Sequence, residues 1–482
     1  MSLKIDYEAL GLKSGLEIHQ QLDTGKLFSH APSYLRKDKP DYVIKRRLHA
    51  VLGETGKVDV AVKHEASLKR DFQYEGYEDT TSLVELDEEP PRPINQDALD
   101  VVLQIALLLN CEIYQTTQVM RKTVIDGSNT SGFQRTVLIA HNGFVETSFG
   151  KVPVDTIMLE EDSARAIKRD KDKVVFRLDR LGIPLVEIAT SPVMKHPEQI
   201  KECALKIGEI LRACRVKRGI GTIRQDVNVS IKGHDRVEIK GFQDPKMMVK
   251  TVDLEIERQQ KDIKKKKTEG NVRNALPDGK TEFLRPMPGS ARMYPETDLE
   301  LLRISRERIN KLKKNLPKLR SEIKSELKKK GLSDEMTELI LSGNVEEFRI
   351  LSEVYRKDVN LIAKMITIWR KELAAKTNKN IDEVREVLSE RVMEGVLEKV
   401  KEGSLEKSDI KKVLLDILEG VSLENAIKIE KVNDDEVEEE IRKIVKSKKG
   451  LRPNAYMGLV MAKFKGKLDA KRAMEIIKKI TT

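Results

Sequence analysis

Six carboxylates and one histidine stand inside short apolar runs of this chain: Glu17 and His19 in GLEIHQQL, Glu160 and Glu161 in LEEDSAR, Glu187 in DRLGIPLVEIAT, Asp226 in RQDVNVSI and Glu238 in RVEIKG. An ionised side chain among Leu, Ile and Val is costly unless something compensates it. A divalent cation is one compensator, since hard cations take carboxylate oxygens and a phosphoryl-transfer site needs several converging acids. Pairing with Arg180, Arg224 or Arg236 is the other. Glu187 is the sharpest candidate, because its neighbours Leu185, Val186 and Ile188 read as buried. Two residues apart on a strand, Glu17 and His19 point to one face, so His19 could ligate a metal or carry a proton. Asp226 and Glu238 lie in strand-like pieces separated by a KGHD turn, and hairpin pairing would bring them together. Arg180 and Arg224 are the residue type that grips phosphate or carboxylate bidentately, and they could equally hold the acids just named.

Several other chemistries lack their residues. There is no GxxxxGK[ST] loop, and GSNTSG at 127–132 lacks the lysine and reads as a turn. No GxSxG elbow, HExxH or paired Cys/His pattern occurs, so the chain brings no recognisable amide-hydrolysing nucleophile. Cys111, Cys203 and Cys214 form no CxxC, which argues against a disulfide framework and a thiolate zinc site.

The elements that must position these acids change along the chain. Up to about residue 298, β-branched and aromatic runs alternate with Gly, Pro, Asn and Asp, as in KTVIDGSNTSGFQRTVLIAHNGFVETSFGKVPV, with Asn142-Gly143 as a hairpin signal. Helical periodicity interrupts this at 97–110 and 196–215. From 299 the pattern is almost wholly helical, as in EEFRILSEVYRKDVNLIAKMITIWRKEL at 346–373. The expected fold is α+β: a mixed, largely antiparallel first domain over 1–298, a helical domain over 299–408 and a small helical tail over 409–482.

A chain of 482 residues is long enough for about three domains. No stretch approaches the roughly 20 apolar residues of a membrane span, and MSLKIDYEALGLK lacks a secretory h-region, so a cytoplasmic protein without membrane association is expected. The net charge of +11 favours a polyanionic partner. KDIKKKK at 261–267 and the stretch 301–330, with 12 Lys and Arg against 3 Asp and Glu, are either solvated faces or phosphate contacts. With only 4% aromatic residues, stacking on single strands is disfavoured and a folded RNA read by shape and backbone suits the chain better.

GLEIHQQLDTGKLF, DEEPPRP, RKTVIDGSNTSGFQRT, LEEDSAR, DRLGIPLVEIAT, the RQDVN and RVEIKG pair, LRPMPGSARMYPETD and the tail MGLVMAKFKGKLDAKR, in that order, resemble the kinase-type subunits of tRNA-dependent amidotransferases. The wording of FQRT, RKTVIDGSN and MYPETD is similar to the archaeal E-type branch rather than to the bacterial and organellar B type. The resemblance implies a cradle-shaped catalytic domain, a helical domain and a helical tail that contacts tRNA. It implies ATP-dependent phosphorylation of the γ-carboxylate of glutamate mischarged on tRNA(Gln), then displacement of phosphate by ammonia. The ammonia would come from an asparaginase-like amidotransferase partner, the D-type chain, in a heterotetramer with two copies of each chain. Carried over by motif, the metal-binding residues are Glu17, His19, Glu160, Glu161, Glu187, Asp226 and Glu238, for Mg²⁺. Glu17, His19, Glu161 and Glu187 are also the expected catalytic groups, and Arg180 and Arg224 the expected nucleotide contacts. A non-catalytic tRNA-binding or assembly subunit on the same scaffold is the alternative. Two departures stand out. KLFSHAPSYL lacks the zinc-binding cysteines of bacterial relatives, so no zinc is expected. VDLEIERQQKDIKKKKTEG also runs straight into NVRNALPDG, where archaeal relatives carry an insertion resembling a domain of bacterial aspartyl-tRNA synthetase.

Overall fold

Leu16 and Ile18 of the strand Lys13–Gln21 are fully buried while Glu17 between them and His19 after them are only partly so, and in the computed structural model of the chain this period-two alternation recurs across the sheet. The structure describes residues 5–49, 56, 58, 60–170, 172–242, 244–287, 293–428, 434–448, 450, 452–464 and 470–481. MSLK of the first segment, PGSAR within LRPMPGSARMYPETD and KGKLD of the tail motif lie outside them.

Lys13–Gln21 is central in an 11-stranded sheet. On one side it pairs with Ile223–Ser230, then Val237–Phe242, Asn271–Ala275 and Thr281–Pro286; on the other with Pro184–Thr190, then Gly150–Glu161, Phe133–Thr147, Val119–Thr123 and Met293–Pro295. All these pairings are antiparallel except Val237–Phe242 with Asn271–Ala275. The fold class is α+β, as expected.

One face of the sheet is apolar: Leu16, Ile18, Val137, Leu159, Val186, Ile188, Val227 and Ile239 belong to a single core. The helices Gln96–Leu108, Pro197–Ala213 and Pro245–Lys264 close it with Leu99, Ile105, Ile207, Leu211, Val252 and Ile256. Burying each such side chain contributes about 1.5–3 kcal/mol. Asn95 and Asp244 cap two of these helices through the amides of Ala98 and Lys246, and Pro245 at the first turn fits its missing N–H to a position without an intrahelical partner. The opposite face of the sheet is left for chemistry. A four-stranded sheet, Tyr42–Arg46, Asp71–Gly76, Lys173–Arg177 and Arg165–Arg169, stands beside it on its own core of Phe72, Tyr74, Val174 and Phe176.

Asn142-Gly143 is not a hairpin turn. The strand Phe133–Thr147 runs through it, and the reversal comes at residues 148–149, where Thr147 faces Gly150. The pair has a packing reason instead: a Cβ on Gly143 would overlap Cys111 Sγ and lie 2.7 Å from the Leu109 carbonyl oxygen, so only glycine lets the strand pass the end of the helix Gln96–Leu108.

The chain divides into compact units over residues 1–319 and 320–482. Strands give way to helices near 299, but the helix Arg306–Lys314 still belongs to the first unit, where Arg308 Nε donates to Asp100 at 2.6 Å and Ile309 and Leu312 pack on the main core. In the second unit, helices from Arg320 to Ala426 share one core. Ile410, Val413 and Leu414 lie inside it, so no new core begins at 409; a separate cluster starts at Val437 and includes Ile441, Tyr456, Val460 and Ile477. The 346–373 run is split: the helix Val345–Val354 ends, and Asp358 caps the next at the Leu361 amide. Among the described residues no helix is long and apolar enough to cross a membrane.

Candidate active site

The polar face of the main sheet collects the acids into two groups. Register sets Glu17 opposite Asp226, His19 opposite Glu187, Glu160 opposite Leu185 and Glu238 opposite Asn228, so residues from five strands converge. His19, Glu160 and Glu187 form one trio and Glu17, Asp226 and Glu238 the other; in each, one potential ligand atom per residue lies within 4.8 Å of the rest. His19 and Glu160 of the first trio and Asp226 of the second line a cleft of about 670 Å³, together with Ser163, Arg165, Arg180, Arg224 and Arg285.

Each trio is closed by a lysine, Lys122 from a strand two away from that of Glu160 and Lys240 from the strand that carries Glu238. Lys122 Nζ donates to Glu160 and lies 3.8 Å from Glu187, while His19 Nε2 is 3.1 Å from the Glu187 carboxylate. Gln134 Nε2 adds a bond to Glu160 at 3.1 Å. Lys240 Nζ donates to Asp226 at 2.7 Å and also pairs with Glu238, while Asn228 Nδ2 donates to Glu17 at 3.0 Å.

The charges push these groups apart in acidity. Burial and then the adjacent Glu187 raise the Glu160 pKa, with Lys122 offsetting only part of this. At Glu187 burial opposes ionisation, yet Lys122 and His19 hold the carboxyl well below its usual range. Burial works against a charged His19, but the Glu187 hydrogen bond and charge carry its pKa above the ordinary value. Burial, then Glu238 and Glu187, raise Glu17, and for Lys240 the pull of Asp226 and Glu238 exceeds the cost of burial and raises its pKa.

Glu161 does not join either trio. As the next residue on the strand it faces away from Glu160, accepts from the Arg135 amide at 2.9 Å and has the Arg135 guanidinium at 3.5 Å. Of the two neighbours expected among the metal and catalytic residues, the geometry brings Glu160 into a trio and leaves Glu161 apart, against Arg135. Arg180 and Arg224 line the cleft wall. Both turn toward buried Asp162, with Arg224 donating at 2.8 Å and Arg180 Nε 3.7 Å away, while Gln21 donates to the same carboxylate at 2.7 Å. Arg180 also donates to the Ser163 and Ala164 carbonyl oxygens. Burial weighs against the charged form of Asp162, but Arg224 and Arg180 hold its carboxyl below the ordinary range.

Sequence reasoning missed Lys122, Lys240, Asn228 and Asp162. All four stand in the motifs that carry the acids or neighbour them, RKTVIDGSN, RVEIKG, RQDVNVSI and LEEDSAR. Counting alternate positions onward from Glu238 reaches Lys240, and from Asp226 reaches Asn228; Lys122 needed the knowledge that its strand lies two away from Glu160's in the sheet.

The GatB/GatE catalytic domain matches residues 12–310. The E-type subunit of glutamyl-tRNA(Gln) amidotransferase from Methanocaldococcus jannaschii is 36% identical over 630 aligned positions, which cover 99% of each chain. That of Methanothermobacter thermautotrophicus is 35% identical with 94% of each covered, and that of Thermococcus gammatolerans 34% with 99% of each. Because 630 aligned positions exceed this chain's 482 residues by 148, the Methanocaldococcus protein carries at least that much sequence with no counterpart here. The helix Pro245–Lys264 is joined to the strand Asn271–Ala275 by the short connection 265–270. The chain therefore belongs to the GatB/GatE family, beside the archaeal E-type proteins.

Proposed function

We propose that this chain is the kinase and transamidase component of a glutamyl-tRNA(Gln) amidotransferase. The observation that carries the reading is the pair of acid trios, each lending at least one member to the wall of one cleft, in a chain aligned almost end to end with proteins of that name. Glutamate's γ-carboxylate is a poor acyl donor; attack of its oxygen on the γ-phosphorus of ATP releases ADP and gives an acyl phosphate. Ammonia then attacks the acyl carbon, phosphate leaves and the nitrogen sheds a proton.

The donor sets fit divalent cations. Glu17, Asp226 and Glu238 offer only oxygen, as Mg²⁺ requires, and His19, Glu160 and Glu187 offer one nitrogen and two carboxylates, acceptable to Mg²⁺ or Mn²⁺. When bound, Mg²⁺ would screen the phosphates and the charge that develops during transfer. The chain's own part is positioning. Arg180 and Arg224, held by Asp162, present guanidinium groups for phosphate oxygens. Lys122 and Lys240 keep the acids in register, and the Glu187 contact fixes which ring nitrogen of His19 faces the trio. Ammonia comes from an asparaginase-like D-type partner, two copies of each chain forming the assembly, and the basic surface receives Glu-tRNA(Gln).

The test supplies the full chain with ATP, Mg²⁺, ammonium chloride and Glu-tRNA(Gln), and follows Gln-tRNA(Gln). Product that disappears in Glu187→Gln supports the reading. Absence of product with tRNA binding intact would favour a non-catalytic role.

A further inference from the structure

The four-stranded sheet carries positive charge that the chemistry of the cleft does not use. Two adjoining hollows of about 310 and 300 Å³ share Arg47 and Phe72 in their walls, and none of the residues lining them lines the cleft. The first adds His49, Lys69, Arg70 and Glu65, the second Lys45, Asp71 and Lys173. Asp71 is committed to Arg47, and Arg46, also in the second wall, donates to the Leu86 carbonyl oxygen and to Glu88. Glu65 lies 3.8 Å from Arg70 Nη1, while Arg70 Nε is buried without a hydrogen-bond partner among the described residues. Lys45, Lys69 and Lys173 are exposed, and none of them forms an ion pair among the described residues. Lys45, Arg47, Lys69, Arg70 and Lys173 therefore outnumber the carboxylates of Glu65 and Asp71. A concave surface with that surplus suits a ligand whose negative charges repeat along a chain. Phe72 is 5% exposed and offers bases no stacking platform, so what such a surface can grip is backbone.

One hairpin joins the hollows to the cleft. Its strands Arg165–Arg169 and Lys173–Arg177 pair with Arg169 opposite Val174. Alternation puts Arg169 on the face of the Phe72, Val174 and Phe176 core, where it lines the cleft with its guanidinium 5.9 Å from the centre of the Phe176 ring. Lys173 falls on the other face, in the second hollow. Phosphate contacts can thus continue round the hairpin from hollow to cleft. We propose that the two hollows around Arg47 are a docking surface for the phosphate backbone of an RNA, placed so that the aminoacylated end of that RNA reaches the cleft. The inference rests on the reading of Glu-tRNA(Gln) as substrate and adds where on this chain its backbone lies. Lys45, Lys69 and Lys173 each neutralise a phosphate and read no base.

Fluorescence anisotropy of unacylated tRNA(Gln) with the full chain, over a series of salt concentrations, tests this without any turnover. When Lys45, Lys69 and Lys173 are together replaced by Ala, the slope of log K against log salt is expected to flatten by about 2–3, roughly one for each lysine. A control with Lys151, Lys195 and Lys206 replaced by Ala removes the same charge from exposed positions outside both hollows and should keep the slope. An unchanged slope in the first variant, or an equal flattening in the control, overturns the docking surface and leaves the proposed function standing. The unmodified chain gives a second reading. Bound tRNA should shield Lys45, Lys69 and Lys173 from an amine-acetylating reagent, and reaction of all three at the rate of the free chain overturns the proposal even if the triple variant fails to fold. No binding of tRNA(Gln) by the unmodified chain removes both this inference and the tRNA-dependent reading, whereas intact binding and shielding without Gln-tRNA(Gln) formation removes only the catalytic one.

Discussion

His19 and Glu187 face each other across two antiparallel strands 168 residues apart in sequence, and their side chains meet at 3.1 Å. That contact joins the GLEIH and PLVEIAT motifs into one chemical unit, with Glu187 ionised and His19 oriented by it. Replacing Glu187 with Gln keeps the shape but removes the charge. Gln-tRNA(Gln) formation is expected to fall by roughly 10²–10³, in the range seen when one preorganised electrostatic contact is lost, with the thermal midpoint nearly unchanged. A rate within a few-fold of the unmodified chain would take Glu187 out of the site.

Glu160 and Glu161 should separate cleanly, because alternation sends them to opposite faces. Glu160→Gln is expected to lose one bound Mn²⁺ relative to the unmodified chain in equilibrium dialysis. Glu161→Gln should keep it and instead lower the urea midpoint, since it weakens the hold on buried Arg135. The reverse pattern would return Glu161 to the metal set.

Asp162 anchors two arginines and a glutamine at the cleft wall. Removing one partner of a buried pair leaves the other uncompensated, at a cost of about 3–5 kcal/mol in fully buried cases. Arg224 is one-third exposed, so the lower end of that range is expected for Asp162→Ala by urea denaturation. A loss below about 1 kcal/mol, a surface ion pair's value, would show that the anchor carries little.

Gly143→Ala puts a methyl group where Cys111 Sγ and the Leu109 carbonyl already are. Overpacking of this kind typically costs about 1–3 kcal/mol. Thermal melting should show the shift, and a compensating reduction of volume at Cys111, such as Cys111→Gly, should recover part of it. No recovery in the double variant would place the strain elsewhere.

Burial pushes the thiols of Cys111, Cys203 and Cys214 from 9.0 up to about 12. A raised pKa means that the folded state prefers the neutral thiol. The contribution to stability is therefore complete below pH 9 and is lost as the pH climbs from 9 toward 12. At pH 8 a thiol reagent such as Ellman's should titrate none of the three until denaturant is added. Rapid reaction of the folded chain with any one of them would contradict its burial.

The fold class and most of the acid set were legible because both rest on alternation, which a sequence displays directly. Helix ends were legible to within two residues for the periodic runs 97–110 and 196–215, which fold as Gln96–Leu108 and Pro197–Ala213. What stayed hidden depends on which strands become neighbours. Asn142-Gly143 carries the residues of a tight turn, but its glycine answers to Cys111, 32 positions away, and local propensity does not contain that contact. Lys122 was equally opaque: nothing around RKTV reveals that its strand lies beside Phe133–Thr147 and therefore within reach of Glu160. The choice between Glu160 and Glu161 needed only the parity of one strand, but parity has no origin until a neighbour fixes which face is covered.

The place of Lys13–Gln21 at the centre of the sheet has a consequence for synthesis. This strand leaves the ribosome well before its two sheet partners, Pro184–Thr190 and Ile223–Ser230, which follow roughly 170 and 210 residues later. Until then its apolar edge waits without hydrogen-bonding neighbours, exposed to wrong pairings while translation continues. Neither acid trio is complete on a nascent chain until its last member has emerged, residue 187 for one and residue 238 for the other, so a polypeptide stopped short of these has neither cluster assembled.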